Sequence, residues 1–301
     1  YAQLPRRVGF YLGTLSPSHI EEESRIQLPE WIPQDATYRV RCQKQVEDAV
    51  RDTPQIERIV ASKLVANRLT VNLSTPTVDI RVLVLKDRWV VFLDLGGKDL
   101  ALREYKVFSS SDSLSPVLGA AFTQHLPLIR DGVYVNPFSR DGVIPIELAY
   151  TAFGESPHRF TPEFNLVGSG FVSPDLVETA FEHKPDEEQI ELLSMDRQFR
   201  NVKAHEKNAK IGGVNSYIEF SRFEPEFLDV KMPDQSIDVI YGRPEEPGRH
   251  TPKEKLLRIH HDFFRYGKWS LKDEGVMVLL TRSGEDLVST ARQYGLVIRE
   301  E

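Results

Sequence analysis

Hydrophobic and polar positions follow short, regular patterns in the first hundred residues. Tyr38-Arg-Val-Arg-Cys42 alternates as a strand does, and a helical stretch over 47–67, interrupted at Pro54, follows it. Three further apolar segments, separated by turn-forming residues, have the length of strands and cover residues 69–73, 78–84 and 89–95. This succession predicts a small α+β domain over residues 1–95, with residues 1–36 irregular.

Beyond residue 113 the pattern becomes an alternation of helices and strands. Residues 96–113 are interpreted as a linker, because a Gly-Gly pair opens them and a serine cluster closes them. The predicted helices cover 116–126, 143–152, 197–210 and 252–269, with another starting at 175. The predicted strands cover 132–136, 189–195, 217–220, 237–241 and 276–281. This rhythm predicts a doubly wound, mostly parallel sheet over residues 114–301.

Ligands of such a sheet bind at the loops that leave the carboxyl ends of the strands. The first of these loops covers 135–147 and contains one glycine, Gly142, with Arg140 two residues before it. A nucleotide-type cofactor needs glycine in this loop, because a side chain blocks the approach of the backbone. Taken alone, the loop is therefore a weak cofactor signal.

Polar residues also follow the next strands. Asp196 ends the second strand, where an acid accepts hydrogen bonds from ribose hydroxyls; a helix-capping aspartate is the alternative. Glu224 lies in the loop after the third strand. The fourth strand leads into residues 242–249, a stiff loop with two Pro, two Gly and two Arg, where a methyl acceptor would lie. A plain surface connection remains open for that loop.

Two other motifs carry less weight. The Gly-Ser-Gly at 168–170 precedes a predicted helix, but a lone motif of this kind is more typical of a flexible insertion. His260-His261-Asp262 does not predict a metal site, because adjacent histidines on a helix point about 100° apart.

Composition and charge narrow the function classes. Residues 1–113 carry 16 Lys and Arg against 15 Asp and Glu, and the other 188 residues carry 22 against 30. If RNA binds, the first domain is therefore the better candidate surface. Apolar runs such as 276–280 are too short to span a bilayer, so no membrane partner is expected. The single cysteine, Cys42, excludes an internal disulfide and favours a cytoplasmic location.

Motifs over residues 38–301 resemble, in a consistent order, those of THUMP-domain RNA methyltransferases. Residues 71–82 and 93–105 resemble the end of a THUMP domain and its exit linker, and residues 114–121 resemble the helix that opens the methyltransferase domain. Asn136-Pro-Phe-Ser-Arg-Asp-Gly-Val-Ile-Pro-Ile-Glu147 resembles the cofactor loop, and residues 195–198 and 208–214 resemble the stretch around the second strand. This resemblance implies an α+β THUMP-like domain followed by an α/β Rossmann-like class I methyltransferase domain.

The resemblance also implies ligands and roles. The THUMP domain of this family binds tRNA or rRNA, and its second domain uses S-adenosylmethionine to methylate a base, often guanine N2. By position, Asp196 would hold the cofactor ribose and Glu224 would lie near the adenine, while Asn136, Pro137 and Gly142 belong to the cofactor loop. On the strand that resembles part of the RNA-facing surface, the implied RNA-binding residues are Tyr38, Arg39 and Arg41.

The departures from the family pattern concern its chemistry. Asn136 replaces the acid of the cofactor loop, and Arg140 replaces its first glycine. The catalytic N-P-P-[YF] motif, whose Asn side chain and Pro carbonyl accept hydrogen bonds from the target amino group, reads Gly242-Arg243-Pro244 followed by Glu. Glycine offers no side-chain acceptor, and Arg243 is a donor where an acceptor is wanted.

Three functions compete on these observations. The leading interpretation is an RNA-binding protein, tRNA being the expected partner, whose methyltransferase activity is weakened, changed or lost. The second is an active guanine-N2 methyltransferase of tRNA or rRNA with a divergent acceptor loop. The third is a non-catalytic scaffold for protein interactions. Whether a protein partner completes the site stays open, as does the completeness of a chain that begins at Tyr1.

Overall fold

The chain folds into two compact units, which a computed structural model describes over residues 5–19, 25–46, 51–65, 69–110, 112–160, 163–182, 190–246, 253–282 and 284–299. The N-terminal unit comprises Pro5–Leu100 and Phe160–His183, and the C-terminal unit comprises Tyr1–Leu4, Ala101–Arg159 and Lys184–Glu301. The division at residue 100 falls inside the predicted linker. The segment 160–183, which the sequence pattern places in the second domain, groups with the first.

The N-terminal unit is built on a mixed five-stranded sheet. Its strands in chain order are β1 (Gly9–Leu15), β3 (Thr37–Lys44), β5 (Thr70–Val71), β6 (Val78–Val84) and β7 (Trp89–Asp94), and their order in the sheet is β1-β7-β6-β3-β5. Strands β2 (Ile26–Gln27) and β4 (Leu64–Val65) form a separate pair. The expectation that residues 1–36 are irregular is wrong for β1, which pairs antiparallel with β7.

One helix of this unit, α1 (Thr53–Lys63), begins where the sequence pattern predicted an interruption. The side chain of Asp52 accepts a hydrogen bond from Gln55 N, and the Gln55 side chain returns one to Asp52 N. Pro54 occupies the first turn, where its missing N–H costs nothing. Pro54 therefore starts the helix, and Ile56 and Val60 anchor it in the core. The predicted helix is wrong for Leu64–Val65, which form β4, and its residues 47–50 and 66–67 lie outside the described residues.

The segment 160–183 contains α4 (Asn165–Gly168) and α5 (Pro174–Glu182). Leu166 N donates to the Leu95 carbonyl over 3.0 Å, and the Phe171 ring meets the Trp31 ring edge-on at 5.2 Å. Gly170 has φ +79°, and a Cβ there would lie 2.6 Å from the Trp31 carbonyl oxygen. The Gly-Ser-Gly motif is thus a close-packed turn of the N-terminal unit.

The C-terminal unit is a parallel five-stranded sheet flanked by helices. Its strands are β8 (Val133–Asn136), β9 (Glu191–Asp196), β10 (Ile218–Arg222), β11 (Ile237–Gly242) and β12 (Leu271–Leu279), in the order β10-β9-β8-β11-β12. Its helices are α2 (Pro116–Thr123), α3 (Val143–Ala152), α6 (Phe199–Gly212), α7 (Leu228–Lys231), α8 (Lys253–Ser270) and α9 (Gly284–Gln293). The helices and strands predicted after residue 114 are found, with ends displaced by a few residues.

Two hydrophobic clusters complete this unit. One surrounds α3, in which Ile146, Leu148 and Ala149 are fully buried, and the other joins residues of α7, α8 and α9 to β9 and β11. Both clusters contain buried residues of β8, because the central strand of a doubly wound sheet is covered on both faces. Among the described residues, none forms a helix long and apolar enough to cross a membrane.

Candidate functional site

The candidate site lies at the carboxyl end of β8, the central strand. The chain passes from β8 to β9 and β10 on one side, and from β11 to β12 on the other. Strand order therefore reverses between β8 and β11, and loops that leave the strands there diverge and open a crevice. The loop after β8, which contains Asn136, Arg140 and Gly142, forms the floor of this crevice.

Position 142 requires glycine because of a close neighbour, His205, that the sequence pattern did not indicate. Gly142 has φ +88°, and a Cβ added to it would lie 1.9 Å from Cδ2 of His205 on α6. The His205 ring is fully buried, and its Nδ1 lies 3.3 Å from the Ser194 hydroxyl on β9. Burial lowers the pKa of His205 to about 3, so the imidazole is neutral. A neutral ring thus supports the cofactor loop from behind.

Asp196 fixes the same loop from the side. Its Oδ2 accepts a hydrogen bond from Arg140 N over 2.9 Å, and its Oδ1 accepts from Gln198 N and Asn201 Nδ2 over 2.8 and 3.0 Å. The cap residue of α6 is Gln198, so Asp196 turns the chain into the helix without being its cap. A carboxylate has about four lone-pair positions, so one remains on Oδ2 for a ligand donor.

The side chain of Arg140 spans the crevice. Its Nη1 donates to the Arg243 carbonyl over 2.7 Å and its Nη2 to the Pro244 carbonyl over 3.5 Å. Nη2 also lies 3.1 Å from the carboxylate of Asp112. The backbone of Arg140 has φ +49°, a conformation that favours glycine. Arg140 therefore keeps the backbone of a glycine while its side chain ties the loop after β8 to the loop after β11.

The positions Gly242 and Arg243, where β11 ends, carry no acceptor side chain. Gly242 has φ +144°, and a Cβ there would lie 2.7 Å from Oδ1 of Asn136. Arg243 is buried; its Nη2 lies 3.0 Å from Asp112 and 3.7 Å from Glu246. Asp112 thus pairs with both Arg140 and Arg243. The same loop was predicted over 242–249, and its residues after 246 lie outside the described part of the chain.

The segment that carries Asp112 is held by buried polar groups. Arg103 Nε donates to Glu147 Oε1 over 2.8 Å, Nη2 donates to Oε2 over 3.2 Å, and the Tyr105 hydroxyl donates to Oε1 over 2.9 Å. Both charged side chains of this pair are fully buried, and burial raises the pKa of Glu147. Nearer to Asp112, the side chain of Asn208 bonds both backbone groups of Phe108. We call residues 101–113 the strap.

Two cavities occupy the crevice, and they differ in size. One of about 20 Å³ lies between the loops after β8 and β11, and Asn136, Arg140 and Arg243 line it. The other, of about 270 Å³, extends from the residues that follow β9 to Glu245 and Glu246 of the loop after β11. Its lining includes Pro137, Arg140, Asp196, Gln198 and Pro225. Arg140 lines both cavities and separates them.

Comparison with known proteins assigns this arrangement to a family. A family model described as RMKL-like, methyltransferase domain matches residues 103–301, and a THUMP domain model matches residues 24–94. The chain belongs to the RMKL-like methyltransferase family. The fold class and the family expected from the sequence are both confirmed, and S-adenosylmethionine is the cofactor of this family.

Two similar proteins share the name tRNA (guanine(6)-N2)-methyltransferase. The protein from Archaeoglobus fulgidus is 25% identical over 235 residues, which are 78% of this chain and 56% of that protein. The protein from Methanocaldococcus jannaschii is 23% identical over 291 residues, 92% of this chain and 74% of that protein. The chain thus spans little more than half of the Archaeoglobus relative.

Solved structures support the fold. The structure of TrmN from Thermus thermophilus has a TM-score of 0.64 at 20% identity and covers 96% of this chain and 76% of its own. SMU.472, described as a methyltransferase complexed with SAH, has a TM-score of 0.73 at 19% identity, with coverages of 96% and 80%. At these identities, the similarity establishes the fold alone.

The residues present fit one part of S-adenosylmethionine and not the whole. Asp196 and the 270 Å³ pocket that it lines are suited to a nucleoside, because a carboxylate with a remaining acceptor position borders an open, partly apolar space. The continuation of that space toward β11 is filled by the Arg140 side chain, which leaves only about 20 Å³. With Arg140 in this position, the space between the loops after β8 and β11 has no room for a further chemical group.

Other predicted site residues lie around or away from the crevice. Glu224 is half-buried directly before Pro225, which lines the larger pocket, so a position near a nucleobase stays a prediction. Tyr38 is 8% exposed and belongs to the core of the N-terminal unit, so its role in RNA binding stays a prediction. Arg39 pairs with Asp79 over 2.7 Å, and Arg41 is exposed.

The functional residues that the sequence pattern did not single out are Arg103, Asp112 and His205. Arg103 and Glu147 belong to motifs that resemble those of the family, but their spacing in the sequence does not predict that they form an ion pair. Asp112 lies in an apparently featureless linker. A polar residue on the buried face of α6 was the one available signal for His205.

Proposed function

We propose that this chain is a tRNA-binding member of its family in which methyl transfer at the acceptor loop is weakened or lost. The family of the chain and the names of its two archaeal relatives support tRNA as the partner. The observation that carries the loss of transfer is the side chain of Arg140, which reaches the Arg243 carbonyl over 2.7 Å. A cytoplasmic location, predicted from the single cysteine, remains part of the proposal.

The chemistry of the acceptor loop gives the physical reason. Methylation of an exocyclic amino group needs hydrogen-bond acceptors that draw on the amino group while its nitrogen attacks. Gly242 supplies no side chain for this, and the Pro244 carbonyl lies 3.5 Å from Nη2 of Arg140, which donates to it. Losing one preorganised partner of this kind costs about 10²–10³ in rate. The guanidinium of Arg140 would also oppose the positive charge that develops on the attacking nitrogen.

Methyl transfer is tested directly with radiolabelled S-adenosylmethionine and unmodified tRNA transcripts. We expect no label above the protein-free blank from the unaltered chain. The comparison variant restores the family residues: Asn136→Asp, Arg140→Gly, Gly242→Asn and Arg243→Pro. The positions are changed together because Arg140 bonds the carbonyls of Arg243 and Pro244. The side chain of residue 136 must shift in this variant, since a Cβ on residue 242 would lie 2.7 Å from its Oδ1. Robust transfer by the unaltered chain would contradict the proposal.

RNA binding is tested with the full chain, because the N-terminal unit includes residues 160–183 and a simple truncation would cut through it. Filter binding to a tRNA pool at increasing salt should show affinity falling steadily, as phosphate contacts require. Charge-removing changes on the N-terminal unit should lower the affinity more than equal changes on the C-terminal unit. Equal losses from both units would contradict the assignment of RNA binding to the first.

The second candidate is an active guanine-N2 methyltransferase, and the names of the two archaeal relatives favour it. It requires another group to accept from the target amino group. Glu245, which pairs with Arg197 over 3.1 Å, is a carboxylate at the same loop. Label found on guanine N2 and abolished by Glu245→Gln would establish this candidate in place of the first.

A further inference from the structure

We infer that the pocket beside Asp196 selects an adenine nucleoside without an amino-acid tail over the complete cofactor of the family, and that Arg140 and Asp112 impose this choice. The inference deepens the proposed function, on which it rests, by naming the ligand class of the retained pocket. It follows from a difference between the two cavities: the one beside Asp196 is open, and the chain itself fills the space between Asn136 and Arg243.

The open side has what a nucleoside needs. Its volume of about 270 Å³ lies just below the range of about 300–1,000 Å³ typical of small-molecule sites. Asp196 is 6% exposed, and its Oδ2 has accepted a single hydrogen bond, from Arg140 N. The position left on that oxygen can take one ribose hydroxyl. Pro137 and Pro225 add apolar surface to the lining.

On the closed side, the side chain of Arg140 occupies the space that an amino-acid tail would need. Arg140 holds its place through two backbone carbonyls, of Arg243 and Pro244, and through the carboxylate of Asp112. A tail that continued from the nucleoside toward β11 would have to displace the guanidinium from all three. The 20 Å³ that remain hold about one water molecule, which needs about 10–15 Å³ of such space.

The ion pair of Arg140 with Asp112 also opposes binding of the amino-acid tail. The carboxylate of the amino-acid tail would have to replace Asp112 as the partner of Arg140. Asp112 belongs to the same chain, held in place by the strap, and therefore competes at a high effective concentration.

The strap makes Asp112 the residue that determines specificity. Its Oδ2 lies 3.1 Å from Nη2 of Arg140, and its Oδ1 lies 3.0 Å from Nη2 of Arg243. Asp141, which follows Arg140 in the loop, accepts hydrogen bonds from Ser110 N and from the Ser113 hydroxyl on either side of Asp112. The two arginines thus share one carboxylate whose position is fixed by its neighbours.

Calorimetry with four probes tests the inference on the unaltered chain: adenosine, 5′-methylthioadenosine, S-adenosylhomocysteine and S-adenosylmethionine. We expect 5′-methylthioadenosine to bind at least as tightly as S-adenosylhomocysteine, which differs from it by the amino-acid tail. S-adenosylmethionine should bind at least about tenfold more weakly than 5′-methylthioadenosine, about 1.4 kcal/mol. Tenfold tighter binding of S-adenosylhomocysteine than of 5′-methylthioadenosine would overturn the inference, and so would no binding of any probe.

Two variants locate the cause. Arg140→Gly suits the positive φ of this position and should tighten S-adenosylhomocysteine at least tenfold, while 5′-methylthioadenosine changes by less than about threefold. Asp112→Asn should move the affinities in the same direction by a smaller factor. The exposed Arg130→Gly is the matched control and should leave all four unchanged. Equal gains for the two ligands in Arg140→Gly would overturn the role of Arg140.

The two proposals fail separately. Tighter binding of S-adenosylhomocysteine than of 5′-methylthioadenosine would contradict the preference for a nucleoside without a tail. The proposed loss of methyl transfer would still stand, because the acceptor loop would still lack its acceptor. Methyl transfer to tRNA by the unaltered chain would contradict the proposed function. In that case the affinity order of the four probes would still decide the inference about the pocket.

Discussion

The crevice differs on the two sides of β8, although the loop after β8 borders both. Toward β9, Asp196 keeps a lone pair and a pocket of about 270 Å³ lies beside it. Toward β11, a cavity of about 20 Å³ remains between Asn136 and Arg243. The difference comes from Arg140, whose backbone completes the first side and whose side chain closes the second.

This difference shows how a glycine position can be replaced without collapse of the loop. Arg140 takes φ +49°, at a cost of about 1–3 kcal/mol for a residue other than glycine. Its backbone hydrogen bond to Asp196 and its three side-chain contacts offset that strain. The substitution therefore changes what the crevice can hold while the architecture of the loop stays that of a cofactor-binding fold.

The largest effect is expected from breaking the buried ion pair between Arg103 of the strap and Glu147. Arg103→Met leaves the buried carboxylate of Glu147 without its cation, and such a loss typically costs about 3–5 kcal/mol of unfolding free energy. Because the strap carries Asp112, the β11 side should open while the β9 side keeps its nucleoside affinity. Denaturant unfolding measures the first effect and calorimetry the second. The double variant Arg103→Met, Glu147→Leu should recover most of the stability; a single variant as stable as the parent would contradict the role of this pair.

The next effect depends on pH. The folded pKa of His205, about 3, is below its ordinary value of 6.5, so the unfolded chain takes up a proton that the folded chain refuses. Stability from this residue is complete above about pH 6.5 and falls with pH, by about 2–3 kcal/mol at pH 4.5. His205→Leu should remove that part of the acid sensitivity in denaturant titrations, and the exposed His125→Gln should not. Identical pH profiles for His205→Leu and the parent would refute the assignment.

A smaller effect is expected at the ligand side of Asp196. Asp196→Asn removes the charge that strengthens a hydrogen bond from a ribose hydroxyl and should weaken adenosine binding about tenfold, about 1.4 kcal/mol. The exposed Asp234→Asn serves as the control of equal charge change. If calorimetry finds adenosine affinity unchanged in Asp196→Asn, the β9 side does not hold the ribose.

The smallest effect lies outside the crevice. Arg41 is exposed on β3, and Arg41→Ala should lower tRNA affinity by a few fold and reduce the slope of log affinity against log salt by about one. Arg88→Ala, a side chain 58% exposed at the turn before β7, is the control. Nucleoside binding should be the same in both variants. A salt slope unaltered by Arg41→Ala would remove Arg41 from the RNA contact.

The sequence by itself determined the sheet of the C-terminal unit and the loops that form its site. Apolar strands alternate with helices there, and the carboxyl ends of neighbouring parallel strands must meet at one edge. The loop at Asn136–Gly142, the acid at Asp196 and the loop at Gly242 were therefore predicted together. These features depend on local patterns, which a chain carries in its order of residues.

Only the tertiary structure decided which groups meet across that edge. An arginine can pair with any nearby acid, and nothing in sequence spacing selects Asp112 for Arg140 and Arg243, or Glu147 for Arg103. The grouping of residues 160–183 with the N-terminal unit and the edge strand β1 were missed for the same reason. Contacts between distant residues depend on packing through space, whereas the hydrophobic pattern reports only which side of its own element a residue faces.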